Sequence, residues 1–190
     1  LDGMARLRAV EPSVADRIEA AGLRLEVVDA TTEIGIPIVV AYLHDVPGGR
    51  TGSFKGAGAS LSASAALVRA VTEAAQGRCL IVSGARDDMF ESQRAAATSS
   101  TVSTPTSVEG VFDNDVNLGT GSVEGDLERA ATMLRSAGFS QILVIRHTSP
   151  DDPVQVVRVI VPGLEGYMFS YAAVGERGQA WVDDYRLETA

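Results

Sequence analysis

The sequence is poor in most of the side chains that announce a function. It holds one cysteine, two histidines and one tryptophan, and of its 16 basic residues only Lys55 is lysine. A single cysteine excludes an internal disulfide and points to a reducing, cytoplasmic setting; Cys79, beside Leu80 and Ile81, reads as a small buried hydrophobe. His44 and His147 stand far apart with no cysteine near either, so no zinc spacing exists, and both read as structural histidines at strand ends. No Ser–His–acid set is legible from spacing. Long apolar runs are missing too: the longest clean stretch, Ile34 to Leu43, is strand-sized and far below the roughly 20 residues of a membrane helix. Positive charge is in deficit, with 25 acidic residues against 16 basic and a net charge of -9. That balance argues against a nucleic-acid backbone as partner. The chain opens on Leu1 with no signal-peptide pattern, which reads as a chain whose beginning lies elsewhere.

What is present is ordinary for a globular fold: 190 residues, 45% hydrophobic and 22% charged, enough for one domain or two small ones. Glu11-Pro12-Ser13, with Val14, Ile18 and Ala21, predicts a capped amphipathic helix closed by Gly22. Leu23, Leu25 and Val27 alternate with charged residues and predict a strand with one wet face; Ile36 to Leu43 predicts a second, more buried one. Asp45 to Gly58, broken by Pro47 and five glycines, is expected to be loop. Ser60 or Ser62 then caps a helix to about Gln76, and a further helix is expected over Asp87 to Ala97. Thr98 to Ser122 is rich in Ser, Thr, Gly, Asp and Asn and lacks periodicity; it reads as a mobile surface loop or a lid.

Beyond it the pattern repeats. Val123 to Ala137 predicts a helix ended by Gly138, Phe139 to Arg146 a strand, Ser149 to Pro153 a turn, and Val154 to Val161 another strand. Ala21-Gly22 and Ala137-Gly138 occupy the same place in two helix–strand–strand units. The expected class is therefore α+β: antiparallel sheet with helices packed on it, in preference to a doubly wound α/β sheet.

The segment richest in chemistry is Gly56-Ala57-Gly58-Ala59-Ser60 followed by Leu67 to Arg78. On a helix, Arg69, Glu73 and Gln76 share one face while Leu67, Val71 and Ala74 share the opposite one. A solvated Arg69–Glu73 pair is the plain reading; a carboxylate and an amide offering oxygens to a metal-bound polyphosphate is the functional one. Arg78 poses an alternative: either Gly77 ends the helix, or an arginine is held inward against a buried anion. The glycines could form a phosphate-binding nest or a plain turn. Asp113, Asp115, Asn117 and Glu124 match calcium-loop positions 1, 3, 5 and 12, but Leu118 stands where glycine is required, and Asx turns explain the cluster more simply.

Taken together, these segments resemble the YcaO family. The resemblance runs through Val28-Asp29-Ala30-Thr31, Ile34-Gly35-Ile36-Pro37, Gly56-Ala57-Gly58-Ala59 and Arg69 to Arg78. It continues through Ser83-Gly84-Ala85-Arg86-Asp87-Asp88 and Val157 to Tyr167. It implies an enzyme that uses ATP and Mg2+ to phosphorylate a peptide amide oxygen, after which an attacking Cys, Ser, Thr or sulfide gives an azoline or a thioamide. By position, Glu73 and Gln76 would serve as metal and nucleotide ligands, with Arg78 and Arg86 near phosphate; no catalytic residue is assigned. The two earlier E-x-x-E helices of the family and the proline-rich C-terminus of its azoline-forming members are not matched, so the 190 residues are expected to be a C-terminal portion lacking much of the metal shell. Pro162-Gly163-Leu164-Glu165-Gly166-Tyr167 is similar to members paired with a TfuA partner and linked to thioamides. The implied partners are a peptide or protein substrate, a TfuA-like protein and a second copy of the chain. A reading of another class, a non-catalytic module that binds a peptide or partner, rests on the acidic balance and the Ser/Thr-rich loop.

Overall fold

A computed structural model describes residues 3–45, 52–84, 115–165 and 174–180. The chain divides into two units, residues 1–133 and 134–190. Two short helices open the first unit: α1 (Gly3–Val10) and α2 (Pro12–Ala20). Pro12 starts α2, where its missing N–H costs nothing, and Ala15 and Ile18 bury its inner stripe. α1 has no counterpart in the sequence-based reading. At eight residues, with only Gly3 and Leu7 buried, it is too short to show a period.

Three antiparallel strands follow in the order β1 (Arg24–Asp29), β2 (Ile38–His44) and β3 (Ser53–Ala59). The register sets Leu25 opposite Leu43 and Leu43 opposite Phe54, and likewise joins Val27, Ala41 and Gly56. α3 (Ala63–Ser83) packs on this face, contributing Ala66, Leu67, Ala70, Val71 and Ala74 to the core with Leu7, Ile18, Val39, Ala41 and Leu43. Ser62 caps α3 by accepting from the Ala65 N–H, and Gly84 ends it in the left-handed region at φ +61°.

β3 corrects the last part of the expected loop over Asp45 to Gly58, from Ser53 on; residues 46–51 lie outside the described residues. A Cβ on Gly56 would come closer than 3.0 Å to Ala70 O and Ala74 N, and one on Gly58 closer than 3.0 Å to Ala66 O and Ala70 N. The glycines are therefore strand residues whose bare backbone lets α3 press against the sheet; they are not a phosphate nest. Glycine's weak strand preference is overridden by this tertiary contact. α3 also runs seven residues past the expected end at Gln76, passing through Gly77 to Ser83.

Of the expected loop, residues 98–114 lie outside the described residues, as does the expected helix over Asp87 to Ala97. Residues 115–122 are tied down: Val116 O accepts from the Ala63 N–H and Leu61 O from the Leu118 N–H. Asp126 accepts from the N–H and hydroxyl of Thr120, which places the acidic chemistry of this segment at the start of α4 (Val123–Ser136). Those bonds hold the Asp126 carboxyl below its ordinary pKa, the Thr120 backbone N–H contributing most. Among the described residues no three His, Cys, Asp or Glu side chains gather to hold a metal ion.

The sequence repeat reappears as a repeated turn. Gly22 (φ +67°) donates to Glu19 O at 2.9 Å and Leu23 to Ile18 O at 3.1 Å; Gly138 (φ +94°) donates to Arg135 O and Phe139 to Leu134 O, both at 3.0 Å. These are the same paired C-terminal bonds after α2 and after α4. In the second unit β4 (Leu143–Arg146) and β5 (Val157–Ile160) form an antiparallel ribbon, both shorter than expected. Phe139 is consumed by the helix-ending turn and buried, with Gly163 against its ring and the Arg177 guanidinium 4.7 Å above it. The class matches the α+β expectation: antiparallel sheet with helices packed against it.

Candidate functional site

α3 brings Arg69, Glu73 and Gln76 to one exposed face, as their spacing requires. β3 is an edge strand, and two of these side chains bond its outward backbone groups. Glu73 Oε2 accepts from the Ala57 N–H at 2.7 Å, and Arg69 donates to Ala59 O at 2.7 Å. The plain Arg69–Glu73 ion pair expected from the i, i+4 spacing is replaced by these two backbone bonds. Glu73 Oε1 and Gln76 remain as oxygen donors facing solvent, a set of two.

Arg78 lies elsewhere on the helix. Because α3 continues through Gly77, Arg78 falls about 160° around the axis from Gln76, on the flank of Leu67, Val71 and Ala74. It is half-buried, and its Nε is buried without a hydrogen-bond partner. Of the two alternatives left open by the sequence, the arginine held inward is the one adopted. A buried, unpaired N–H is rare in folded proteins and costs stability unless an acceptor meets it. Arg86 lies outside the described residues. Cys79, expected to be buried, is exposed: uninterrupted winding through Gly77 turns it away from the sheet.

An oxygen pair of this kind suits Mg2+, which takes one or two protein carboxylates and completes its shell with phosphate and water. The orphaned guanidinium N–H suits an anion. On the first count Glu73 and Gln76 fit the metal of a magnesium-bound nucleotide in part, with one carboxylate and one amide; Arg78 is an unsatisfied cationic donor on a different flank of α3, apart from that pair.

A second polar cluster was not foreseen. On the sheet face opposite α3, His44 bridges Ser53 Oγ (2.8 Å from Nδ1) and Glu26 Oε2 (3.1 Å from Nε2). The three residues sit on three different strands, so only the strand register reveals them; no local spacing could have. His44 is the sole buried polar or charged residue among the described residues.

A sequence model of the family described as YcaO cyclodehydratase, ATP- and Mg2+-binding, matches residues 8–165. The chain is 32% identical, over 178 aligned positions, to an uncharacterized protein encoded in the tfuA 3' region of Rhizobium leguminosarum bv. trifolii. It is 33% identical, over 175, to an uncharacterized protein of Methanothermobacter thermautotrophicus. These matches take in 83% and 85% of this chain but 40% and 44% of the relatives, so the chain spans about two fifths of the length of the curated proteins it matches. Among solved structures, a heterocyclase in complex with substrate and cofactor superposes with a TM-score of 0.64 at 25% identity, covering 78% of this chain and 21% of that one. The heterocyclase TruD superposes at 0.55, also at 25% identity, covering 80% and 22%.

Proposed function

This chain belongs to the YcaO family, and from that premise we propose that it serves the ATP-dependent activation of a peptide backbone amide, leading to an azoline or a thioamide. The 190 residues correspond in this reading to the C-terminal portion of the family's domain, consistent with their share of the relatives' length. The observation that carries the reading is the pair Glu73 and Gln76 on one open face of α3, with Glu73 fixed by Ala57.

Glu73 and Gln76 would hold Mg2+ through Oε1 and the amide oxygen, with further ligands from outside this set. Bound there, ATP with its metal would supply the phosphoryl group and the charge neutralisation that phosphoryl transfer needs. The chain's own part is positioning. The Ala57 N–H holds Oε2 of Glu73 and so restricts the carboxylate to one orientation, which keeps Oε1 available without a rotamer search. Arg69, held on Ala59 O, keeps its positive charge beside that carboxylate. Arg86 would give phosphate a cationic contact, and Arg78 would offer its unpaired Nε–H to phosphate from the other flank of α3, apart from the face of Glu73 and Gln76. In this reading the substrate is a peptide, and the tfuA-region origin of one relative supports a TfuA-like partner protein.

ADP release by the enzyme containing this chain, measured with its peptide, tests the reading. Glu73→Gln should lower turnover by at least 100-fold with the fold retained; turnover at the parent rate would remove Glu73 from the site.

A further inference from the structure

The cluster on the outer face of the β1–β2–β3 sheet has the geometry of an activated hydroxyl. β2 and β3 set His44 directly opposite Ser53, and Glu26, opposite Tyr42 in the neighbouring row of β1, reaches His44 diagonally, all on the face that α3 does not cover. His44 is 8% exposed, and both of its ring nitrogens are engaged. A carboxylate is an acceptor only, so the bond to Glu26 assigns the proton to Nε2. In the neutral imidazole Nδ1 is then a lone pair, and the Ser53 hydroxyl donates to it. The 2.8 Å and 3.1 Å separations both fall within the range for a nucleophile, its base and the group that orients the base. Two neighbours reinforce the arrangement. Tyr42 stacks on the imidazole, with ring centroids 6.1 Å apart and planes 18° apart, and Arg24 lies 3.4 Å from the Glu26 carboxylate. Lys55 stands two residues along β3 on the same face and is the cation nearest in sequence for a developing oxyanion.

We infer that Ser53 is a nucleophile activated by His44 and oriented through Glu26, competent for acyl transfer from an ester or thioester. Ser53 Oγ attacks the acyl carbon and passes its proton to His44 Nδ1. The bond to the departing alkoxide or thiolate breaks, and that group leaves with the proton from His44. Water, deprotonated by the same nitrogen, then releases the acid and restores the serine. Nothing in this sequence of steps draws on ATP or on the α3 face, so it stands or falls apart from the amide-activation reading.

A fluorophosphonate probe, which phosphonylates activated serines, provides the test, with the adduct mapped by peptide mass spectrometry on the 190-residue chain. Ser53 should be labelled at least tenfold faster than any other serine of the chain. Glu26→Gln, which keeps the size and the hydrogen-bonding capacity of the side chain, should slow labelling at least tenfold while circular dichroism stays unchanged. His44→Gln should abolish it. Labelling of Ser53 at the rate of the other serines overturns the inference, as does labelling of Ser53 that is indifferent to Glu26→Gln and His44→Gln in folded protein.

Discussion

The carboxylate of Glu73 and the backbone N–H of Ala57 are joined at 2.7 Å, so a helix side chain satisfies a donor of β3 that no neighbouring strand among the described residues meets. Two roles coincide in one residue, and substitution can separate them. Gln at position 73 retains an oxygen for Ala57, so Glu73→Gln should leave stability within about 0.5 kcal/mol of the parent. Glu73→Ala removes the acceptor and should cost about 1 kcal/mol in urea denaturation. Equal losses for the two variants would mean that the bond to Ala57 carries no stability.

Glycine-to-alanine changes should have opposite signs at two positions 19 residues apart. At Gly58 the new methyl meets the Ala66 carbonyl and the Ala70 N–H, both backbone, and β3 must move off α3. We expect a loss of about 3 kcal/mol, the upper end of overpacking. At Gly77 the new methyl meets, among the described residues, only Phe54 at 3.8 Å, so removal of a mid-helix glycine should stabilise by about 0.5–1 kcal/mol. Thermal midpoints of the two variants should therefore fall on either side of the parent's.

Arg78→Met replaces a buried, unpaired donor with an apolar chain of similar length. Stability should hold or rise, since the desolvated N–H is no longer without an acceptor. Binding of ATP by the complete enzyme, followed by calorimetry, should weaken at least tenfold. A marked drop in stability would show that Arg78 is held by packing rather than kept for an anion.

Acid should loosen the start of α4. Asp126 is depressed by its bonds to Thr120, chiefly the backbone N–H. A carboxyl with a lowered folded pKa adds stability that is fully present above its unfolded value and is lost as the pH falls through the folded value. The protection of the Thr120 amide, its exchange rate relative to the intrinsic rate at the same pH, should thus be unchanged from neutrality down to about pH 5 and should fall below about pH 4, where unfolded aspartate titrates. Asp126→Asn should abolish that pH dependence.

Much of the first unit could be read from residues alone because its signals are local. Pro12, Ser62, Gly22 and Gly138 mark helix ends through chemistry contained within a few residues, and the two matched turns after α2 and α4 follow directly. The face shared by Arg69, Glu73 and Gln76 is a matter of helical period. What could not be read depends on partners distant in sequence. Gly56 and Gly58 look like loop until Ala66, Ala70 and Ala74 are set against them, and Ser53 lies nine residues from His44 and 27 from Glu26 until β1, β2 and β3 are aligned. The place of Arg78 could not be read because a glycine such as Gly77 either ends a helix or lets it run on, and here α3 runs on to Ser83.

The contact between β3 and α3 is also a matter of commensurate lengths. Gly56 and Gly58 are two residues apart, about 6.7 Å along a strand. The helix positions they meet, Ala70 with Ala74 and Ala66 with Ala70, step by four residues, about 6 Å along a helix. The two lattices therefore mesh like a rack and pinion, and sliding by one tooth would shift the strand by two full residues. Ala57 lies between the two teeth, and its N–H meets Glu73. The address of that carboxylate is written in the missing side chains of its neighbours.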